Sequence, residues 1–599
     1  MKKSGIILLI ILISLIPSIV AQEGEVYQLK LLAVYEDEDG YTGSDADLLL
    51  ELREGTGRVF LETFPLTRLD TQISTRFAKE VACNHFKLNC NKYDFIYTIR
   101  AKSNIIGGPS AGAALAALTT IAILDLDYDQ NIAVTGTINS GGIVGPVGGV
   151  KEKLEAAAQA GLGKVLIPKG SSGSSSDISE NEDNNSEESE LNLVEYAIQN
   201  LSLPVEEVLT IDEVVFQLTG EQLNNKPVIL EEDEEYQEIM KTVAETLCGR
   251  REKIEQEIAK SDVMIDNETN EQLQKRLENS INASYNNDFY SAASYCFGSN
   301  IQLKDSFYKE QKPSLSKVEE LFTKLQEEVK KTKGEVSKKP IETISDLQTM
   351  MIVKERLSDA QQQIDKYLND PPSSELQDTY SLLAYAEERY FSAVTWMEFF
   401  AMDGKKFVFD NQTLQQTCLQ KISEAEERYQ YAEFFISPTF INGIREKINL
   451  AREALDNDEV ELCLITASQA KGDSSAILTS FGLNNESVQD VLNEKKHAVE
   501  RVIAENSNDG VFPILGYSYY KYSSALQEEE QYTALLYLDY ALEMSELEVY
   551  FPEEKTFRDT VMIGSISKKT LYRLEGFLAA VVIFLLILGL KGSKDRRWW

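Results

Sequence analysis

The sequence of 599 residues predicts an α+β domain, then an all-α helical array, then a C-terminal transmembrane helix. Strand-like runs such as 26–35, 58–63 and 95–100 alternate with helical segments over residues 26–215, which is typical of a sheet covered by helices. From about residue 230 the chain is poor in glycine and proline and carries repeated amphipathic helices. A single apolar run follows near the C-terminus, and it is the candidate membrane span.

The two ends of the chain predict where the protein resides. Two lysines precede an apolar run at the N-terminus, so residues 1–21 are predicted to be a signal peptide, with an uncleaved N-terminal anchor as the alternative. Residues 574–590 are predicted to cross the bilayer, and the basic residues 591–599 to form a cytoplasmic tail. The sequence therefore predicts a single-pass protein of the cell membrane, with both folded domains on the extracytoplasmic side.

The predicted domain boundaries follow changes in composition. Residues 22–220 hold the α+β domain, and within it the Ser-, Asn-, Asp- and Glu-rich residues 171–190 predict a disordered acidic insertion. Residues 230–570 hold the helical array, with helices predicted at 316–331 and 414–435 among others. The array is predicted to be tetratricopeptide-like, although it has no strict repeat period. It would either deliver substrates or serve as a stalk or assembly surface.

Charge and cysteine content narrow the classes of function. The formal net charge of −38 argues against nucleic-acid binding and predicts a strongly solvated surface. Of the six cysteines, Cys83 and Cys90 are close enough in sequence to close a short disulfide loop. The four later cysteines are either disulfide-bonded or buried thiols in helices. No Cys/His cluster has the spacing of metal ligands, so neither a metal nor another cofactor is predicted.

Ser110 is the candidate nucleophile. It lies in residues 107–112, with sequence GGPSAG, and a run of small residues after it predicts a buried helix whose first turn carries the serine. Free backbone N–H groups of that turn would face the reacting carbonyl and stabilise its oxyanion. Gly108 would give a substrate close access to the backbone, and Pro109 suits the first position of a helix.

Lys153 is the candidate general base. Because the chain has only two histidines, a lysine with a lowered pKa is the simpler partner for a serine hydroxyl. Lys153 falls in the first turn of a helix predicted over residues 151–160, where burial and the helix dipole both disfavour an ammonium group. Lys151 does not share its helix face and is predicted to be a surface or substrate-contacting lysine.

Four short motifs occur in order around these two residues. They are GPSAG at 108–112, VTG at 134–136, PVGGVKEK at 146–153 and VLIP at 165–168. Together they resemble the proteolytic domain of the Lon proteases, and most of all the archaeal membrane-anchored Lon-like proteases that lack the ATPase module. The resemblance covers roughly residues 25–220, about a third of the chain.

The resemblance implies roles for individual residues. Ser110 and Lys153 match the Ser-Lys dyad of the family, and Thr135 matches a threonine whose hydroxyl contacts the catalytic lysine. The chain departs from the family pattern at two positions, where Gly107 stands in place of an Asp and Thr137 in place of a Glu. The family is often hexameric, so a homo-oligomeric ring is implied by resemblance alone.

The sequence contains no phosphate-loop motif, whereas typical Lon proteases carry an ATPase module that unfolds substrates. It therefore predicts a membrane-anchored serine endopeptidase that cleaves peptides or unfolded proteins without ATP. The alternative is a catalytically weak or inactive Lon-like fold that acts as an extracytoplasmic peptide-binding or scaffolding module. A third possibility is a self-cleaving protein, for which the acidic insertion is the plausible cut site.

Overall fold

The computed structural model of the protein leaves both ends of the chain outside the residues it describes. The described residues are 25–37, 40–106, 108–172, 192–224, 229–261, 263–369, 377–433, 436–481, 483 and 487–551. The predicted signal peptide, membrane helix and basic tail lie outside them, as does the acidic insertion apart from its first two residues. Within the described residues, no helix combines the length and the apolar character needed to cross a membrane.

A four-stranded sheet in the order β1-β2-β4-β3 forms the base of the N-terminal α/β part. Its strands are β1 (Val26–Asp37), β2 (Gly40–Glu54), β3 (Val59–Thr67) and β4 (Tyr93–Ile106). β2 pairs antiparallel with both β1 and β4, whereas β3 runs parallel to β4. Leu29, Leu48 and Ile99 stand opposite one another in register and are buried. The three strand-like runs identified in the sequence are confirmed as β1, β3 and β4.

Two helices pack against each other beside this sheet, α1 (Leu69–His85) and α2 (Gly112–Leu124). Nearly every residue of α2 is buried, and Ala113, Ala116 and Ala117 are completely inaccessible to solvent. Small side chains allow such a helix to approach its neighbours closely on all sides. The buried helix predicted after Ser110 is therefore confirmed.

A smaller parallel sheet in the order β5-β8-β9 completes the α/β part. Its strands are β5 (Ile132–Val134), β8 (Lys164–Pro168) and β9 (Val205–Val208), and a separate two-stranded ribbon joins β6 (Thr137–Ile138) to β7 (Val144–Gly145). The associated helices are α3 (Val150–Gln159), α4 (Leu193–Leu201) and α5 (Ile211–Thr219). Ala133, Leu154 and Ile167 share one apolar cluster, which fixes α3 against the sheet.

The remainder of the described chain is helical. Its helices are α6 (Glu234–Ala259), α7 (Asn267–Tyr285), α8 (Phe289–Gln311), α9 (Leu315–Val336), α10 (Ile344–Asn369), α11 (Gln377–Trp396), α12 (Asn411–Ala432), α13 (Pro438–Asp456), α14 (Val460–Phe481), α15 (Ser487–Asn508), α16 (Ile514–Leu526) and α17 (Gln531–Ser545). Several begin at an Asp or Ser whose side chain accepts a backbone N–H of the first turn, as Asp410 does for α12. α14 packs against α10, α12, α13 and α17 and is therefore central to the array.

All six cysteines lie in the described residues, and all are paired. Cys83–Cys90 closes the short loop at the end of α1, as the sequence suggests. Cys248–Cys296 joins α6 to α8, and Cys418–Cys463 joins α12 to α14. The alternative of buried thiols for the four later cysteines is therefore wrong, because the helices that carry them pack directly on each other.

Candidate active site

Ser110 lies in a short 3-10 turn, Pro109–Ala111, directly before α2. The sequence predicts it in the first turn of the α-helix, but the chain is held in the tighter turn by two backbone hydrogen bonds. Gly136 N–H donates to the Ser110 carbonyl at 2.9 Å, and Ala113 N–H donates to the Gly136 carbonyl at 3.0 Å. The serine is partly exposed, and its turn is tied to the segment that follows β5.

Fewer backbone N–H groups near Ser110 are free to stabilise an oxyanion than the sequence predicts. Gly112 N–H is bonded to the Pro109 carbonyl, and Ala113 N–H is used as described above. The Ser110 N–H has no hydrogen-bond partner in the part of the chain that the structure describes. It is therefore a backbone donor at the nucleophile that is available for a developing oxyanion.

Gly108 connects the turn of Ser110 to a carboxylate that the sequence analysis missed. Its φ of +94° is a conformation that favours glycine, and its N–H donates to Asp70 Oδ2 at 3.1 Å. Asp70 is buried at the start of α1, where its Oδ1 also accepts the Thr71 N–H at 2.6 Å. Asp70 thus brings a carboxylate to the residue two positions before Ser110. It is distant in sequence, and no local motif identifies it.

Lys153 lies in the first turn of α3 and is only 2% exposed. Its backbone N–H donates to the Gly149 carbonyl at 3.0 Å, so the helix begins immediately after the glycine pair. Burial lowers the pKa of the Lys153 amine to about 7, while the Glu152 carboxylate acts in the opposite direction. The predicted decrease in pKa is confirmed. Lys151 is exposed, with its Nζ 5.8 Å from the centre of the Tyr196 ring, and is a surface lysine.

Thr135 follows β5 and is fully buried. Its N–H donates to the Leu166 carbonyl at 3.0 Å, but its hydroxyl has no hydrogen-bond partner among the described residues. The contact with Lys153 implied by resemblance is therefore not a hydrogen bond in this structure. Leaving a buried hydroxyl without a partner costs about 1–3 kcal/mol. Buried polar groups are normally hydrogen-bonded, so the Thr135 hydroxyl is a candidate functional group.

The helical array also contacts the loops around these residues. Tyr431 and Arg428, on the last turns of α12, contact the glycine loop before α3 and the strand β6. Gly148 N–H donates to the Tyr431 hydroxyl at 2.9 Å, and the Arg428 guanidinium donates to the Ile138 carbonyl. The sequence offered no signal for these contacts, because nearly 300 residues separate the partners.

The described residues include the kinds of group that acyl transfer requires. They are a partly exposed hydroxyl, a buried amine that loses its proton near pH 7, and a free backbone N–H. Within the described ranges, no group of three or more His, Cys, Asp or Glu side chains is placed so that it could hold a metal ion.

Comparison with known proteins finds relatives of the α/β part. Residues 102–202 match the Lon protease (S16) C-terminal proteolytic domain. An archaeal Lon protease of Archaeoglobus fulgidus is 48% identical over 64 residues, 11% of this chain and 10% of the relative. Lon protease 2 of Bacillus subtilis is 49% identical over 63 residues, 10% of this chain and 11% of the relative. The aligned region thus spans about a tenth of each relative, and within it the resemblance read from the motifs is confirmed.

Proposed function

Because residues 102–202 match the proteolytic domain of Lon proteases, we propose that this protein is a serine endopeptidase with a Ser110/Lys153 dyad. The observation that carries the proposal is the burial of Lys153, whose side chain is 2% exposed at the start of α3. A fully exposed lysine would be protonated at neutral pH, whereas burial brings the pKa of Lys153 to about 7. A substantial fraction of the amine is then neutral and can accept the serine proton.

Hydrolysis would proceed in two acyl-transfer steps. The Ser110 Oγ attacks the peptide carbonyl carbon while its proton passes to the Lys153 Nζ, and the Ser110 N–H donates to the resulting oxyanion. Collapse of the intermediate breaks the C–N bond as Lys153 returns the proton to the leaving amine. Lys153 then deprotonates a water molecule that attacks the ester, and Ser110 leaves with that proton. The unpartnered Thr135 hydroxyl is available to hold the neutral amine.

The substrates we propose are peptides and unfolded segments of proteins. Unfolding a stable substrate requires an energy source, and these 599 residues contain no phosphate-loop motif. We therefore propose that hydrolysis proceeds without ATP. Assembly into a homo-oligomeric ring is likewise proposed from the family resemblance.

We also propose that the enzyme acts outside the cytoplasm while anchored to the cell membrane. Three disulfides support an oxidising compartment, since cytosolic thiols are normally kept reduced. The apolar run at 576–590, followed by basic residues, supports an anchor whose tail is cytoplasmic.

Covalent labelling tests the nucleophile directly. A fluorophosphonate should modify Ser110 of the full chain, detected as a mass increase on the peptide that contains it. Lys153→Met should slow the labelling because the base is lost, whereas Lys151→Met, which changes an exposed lysine nearby, should leave the rate unchanged. A folded protein that remains unlabelled at Ser110 would favour the peptide-binding module instead.

A further inference from the structure

One face of α12 is lined with buried polar side chains. Lys421, Glu424, Arg428 and Tyr431 follow one another at spacings of three and four residues, so they share a face of the helix. Each is at most 7% exposed, although three of them carry charge. A buried helix face is ordinarily apolar, so this arrangement indicates specific polar partners on the opposite surface.

Tyr431 reaches two separate loops of the candidate active site. Its hydroxyl accepts the Gly148 N–H at 2.9 Å, and its Cε2 lies 3.9 Å from the position that a Cβ would have on Gly108. Gly108 lies two residues before Ser110. Gly148 precedes Gly149, whose carbonyl accepts the N–H of Lys153. A single side chain thus accepts a hydrogen bond from the loop of the base and lies beside the loop of the nucleophile.

Each loop contains a glycine whose positive φ favours that residue. Gly108 and Gly149 have φ values of +94° and +64°, and glycine is the residue with the greatest backbone freedom. On the Ser110 side, the Asp70 carboxylate holds the Gly108 N–H at 3.1 Å. On the Lys153 side, the hydrogen bond from the Gly148 N–H goes to Tyr431. The array therefore supplies a contact that the α/β part lacks.

Arg428 adds a second contact between α12 and the α/β part. Arg428, one turn before Tyr431, donates to the carbonyl of Ile138 in β6. The amide nitrogen of Ile138 lies 2.8 Å from the position of a Cβ built on Gly112, so β6 abuts the start of α2. The last turns of α12 are consequently fixed to the strand that faces the turn of Ser110.

We propose that Tyr431 is a positioning residue of the protease site, which holds the loops of Ser110 and Lys153 at a fixed separation. The inference rests on the proposed peptidase function, since it concerns the rate of that reaction. It assigns a role to the helical array in which α12 completes the active site. The array is then more than a stalk or a route for delivering substrates.

The test compares Tyr431→Phe and Tyr431→Ala with Tyr429→Phe in the full-length protein in detergent. Tyr429 is a matched control on the same helix, because its buried hydroxyl donates to Glu433 at 2.9 Å and accepts from Arg445 at 2.9 Å, away from the site. The kinetic parameters kcat and KM are measured on a fluorogenic peptide derived from casein. Each kcat is divided by the concentration of sites labelled by a fluorophosphonate, which removes the effect of unfolded molecules.

We expect Tyr431→Phe to lower kcat about tenfold with KM changed less than about twofold, since a small misplacement of reacting groups reduces the rate more than binding. Tyr431→Ala should lower kcat further, and Tyr429→Phe should match the wild type. Hydrogen exchange at residues 146–153 should accelerate in the Tyr431 variants and stay unchanged in Tyr429→Phe.

Three outcomes would overturn the inference. If both Tyr431 variants retain the wild-type kcat, the tyrosine does not position the dyad. If they raise kcat, Tyr431 obstructs the site instead. If the folded wild type neither hydrolyses the peptide nor reacts at Ser110, the proposed peptidase function itself fails, and the role of Tyr431 fails with it.

Discussion

At the scale of single residues, the proposed chemistry depends on the protonation state of the Lys153 amine. The side chain is 2% exposed in the first turn of α3, and burial brings its pKa from the ordinary 10.5 to about 7. The neutral form is the one that accepts a proton, so the base is active above that pKa and inactive below it. The same burial that disfavours the ammonium ion therefore prepares the amine for catalysis.

The pH dependence of kcat/KM tests this account. We expect kcat/KM to rise about tenfold per pH unit on the acid side and to level off above a pH of about 7. Glu152→Gln removes a carboxylate that raises the pKa of Lys153, so the acid limb should move to lower pH. A limb near pH 10 would mean that the amine is solvated and would contradict the buried base.

At the scale of elements, the motif glycines mark places where chain segments come very close. A Cβ on Gly112 would lie 2.8 Å from the Ile138 amide nitrogen, and one on Gly136 would lie 2.6 Å from Val144 Cγ1. On Gly149, where φ is already positive, it would lie 2.6 Å from Val34 Cγ2. The motifs thus specify how α2, β6 and α3 pack, which explains why short segments sufficed to predict the elements that carry Ser110 and Lys153.

Other parts of the site could not be predicted from local sequence. Asp70 and Tyr431 are ordinary residues of amphipathic helices, and only tertiary packing brings them to the loops of Ser110 and Lys153. The role of Gly43 in β2 is a further example. A Cβ there would lie within 2.0 Å of the Glu152 carbonyl oxygen, so the glycine permits β2 to pass α3. In each of these cases the residue is explained by a neighbour in the fold that lies far away in the sequence.

A buried charge network ties the helical array to the α/β part. Glu543 on α17 pairs with Lys421 and Lys471, each at 3.0 Å, and accepts the Ser140 hydroxyl at 2.8 Å. Burial alone would raise the pKa of Glu543, but the two ammonium groups lower it to about 2. Glu424 also pairs with Lys471 at 3.0 Å. The two carboxylates and the two ammonium groups of the network therefore cancel in charge.

Glu543→Gln should therefore destabilise the protein strongly. The substitution leaves two buried ammonium groups with Glu424 as their remaining carboxylate, and breaking a buried pair costs about 3–5 kcal/mol. The measurement is the midpoint of unfolding in urea. Glu529→Gln provides the control, since its pair with Lys275 is exposed and should contribute less than about 1 kcal/mol. Equal small effects of the two substitutions would show that the buried network does not stabilise the junction.

At the scale of the whole molecule, the two parts of the chain form one unit. The described residues up to 405 and from 409 to 551 cluster together, and the helices of the array contact the loops of the α/β part. Arg501 on α15 donates to the Gly141 carbonyl at 2.9 Å, and Lys471 on α14 lies 4.0 Å from the centre of the Phe77 ring. An α/β part and a helical array that the sequence presents as consecutive modules are thus joined through buried polar contacts.

Hydrolysis of unfolded casein by the full-length protein, without nucleotide, tests the central claim most directly. The wild type should cleave casein, and Ser110→Ala and Lys153→Ala should each lose at least about a thousandfold in rate, because the two groups act as a unit. Lys151→Ala should cleave as the wild type does, since that lysine is exposed. Cleavage that persists without Ser110 or Lys153, or a folded wild type that leaves casein intact, would contradict the account.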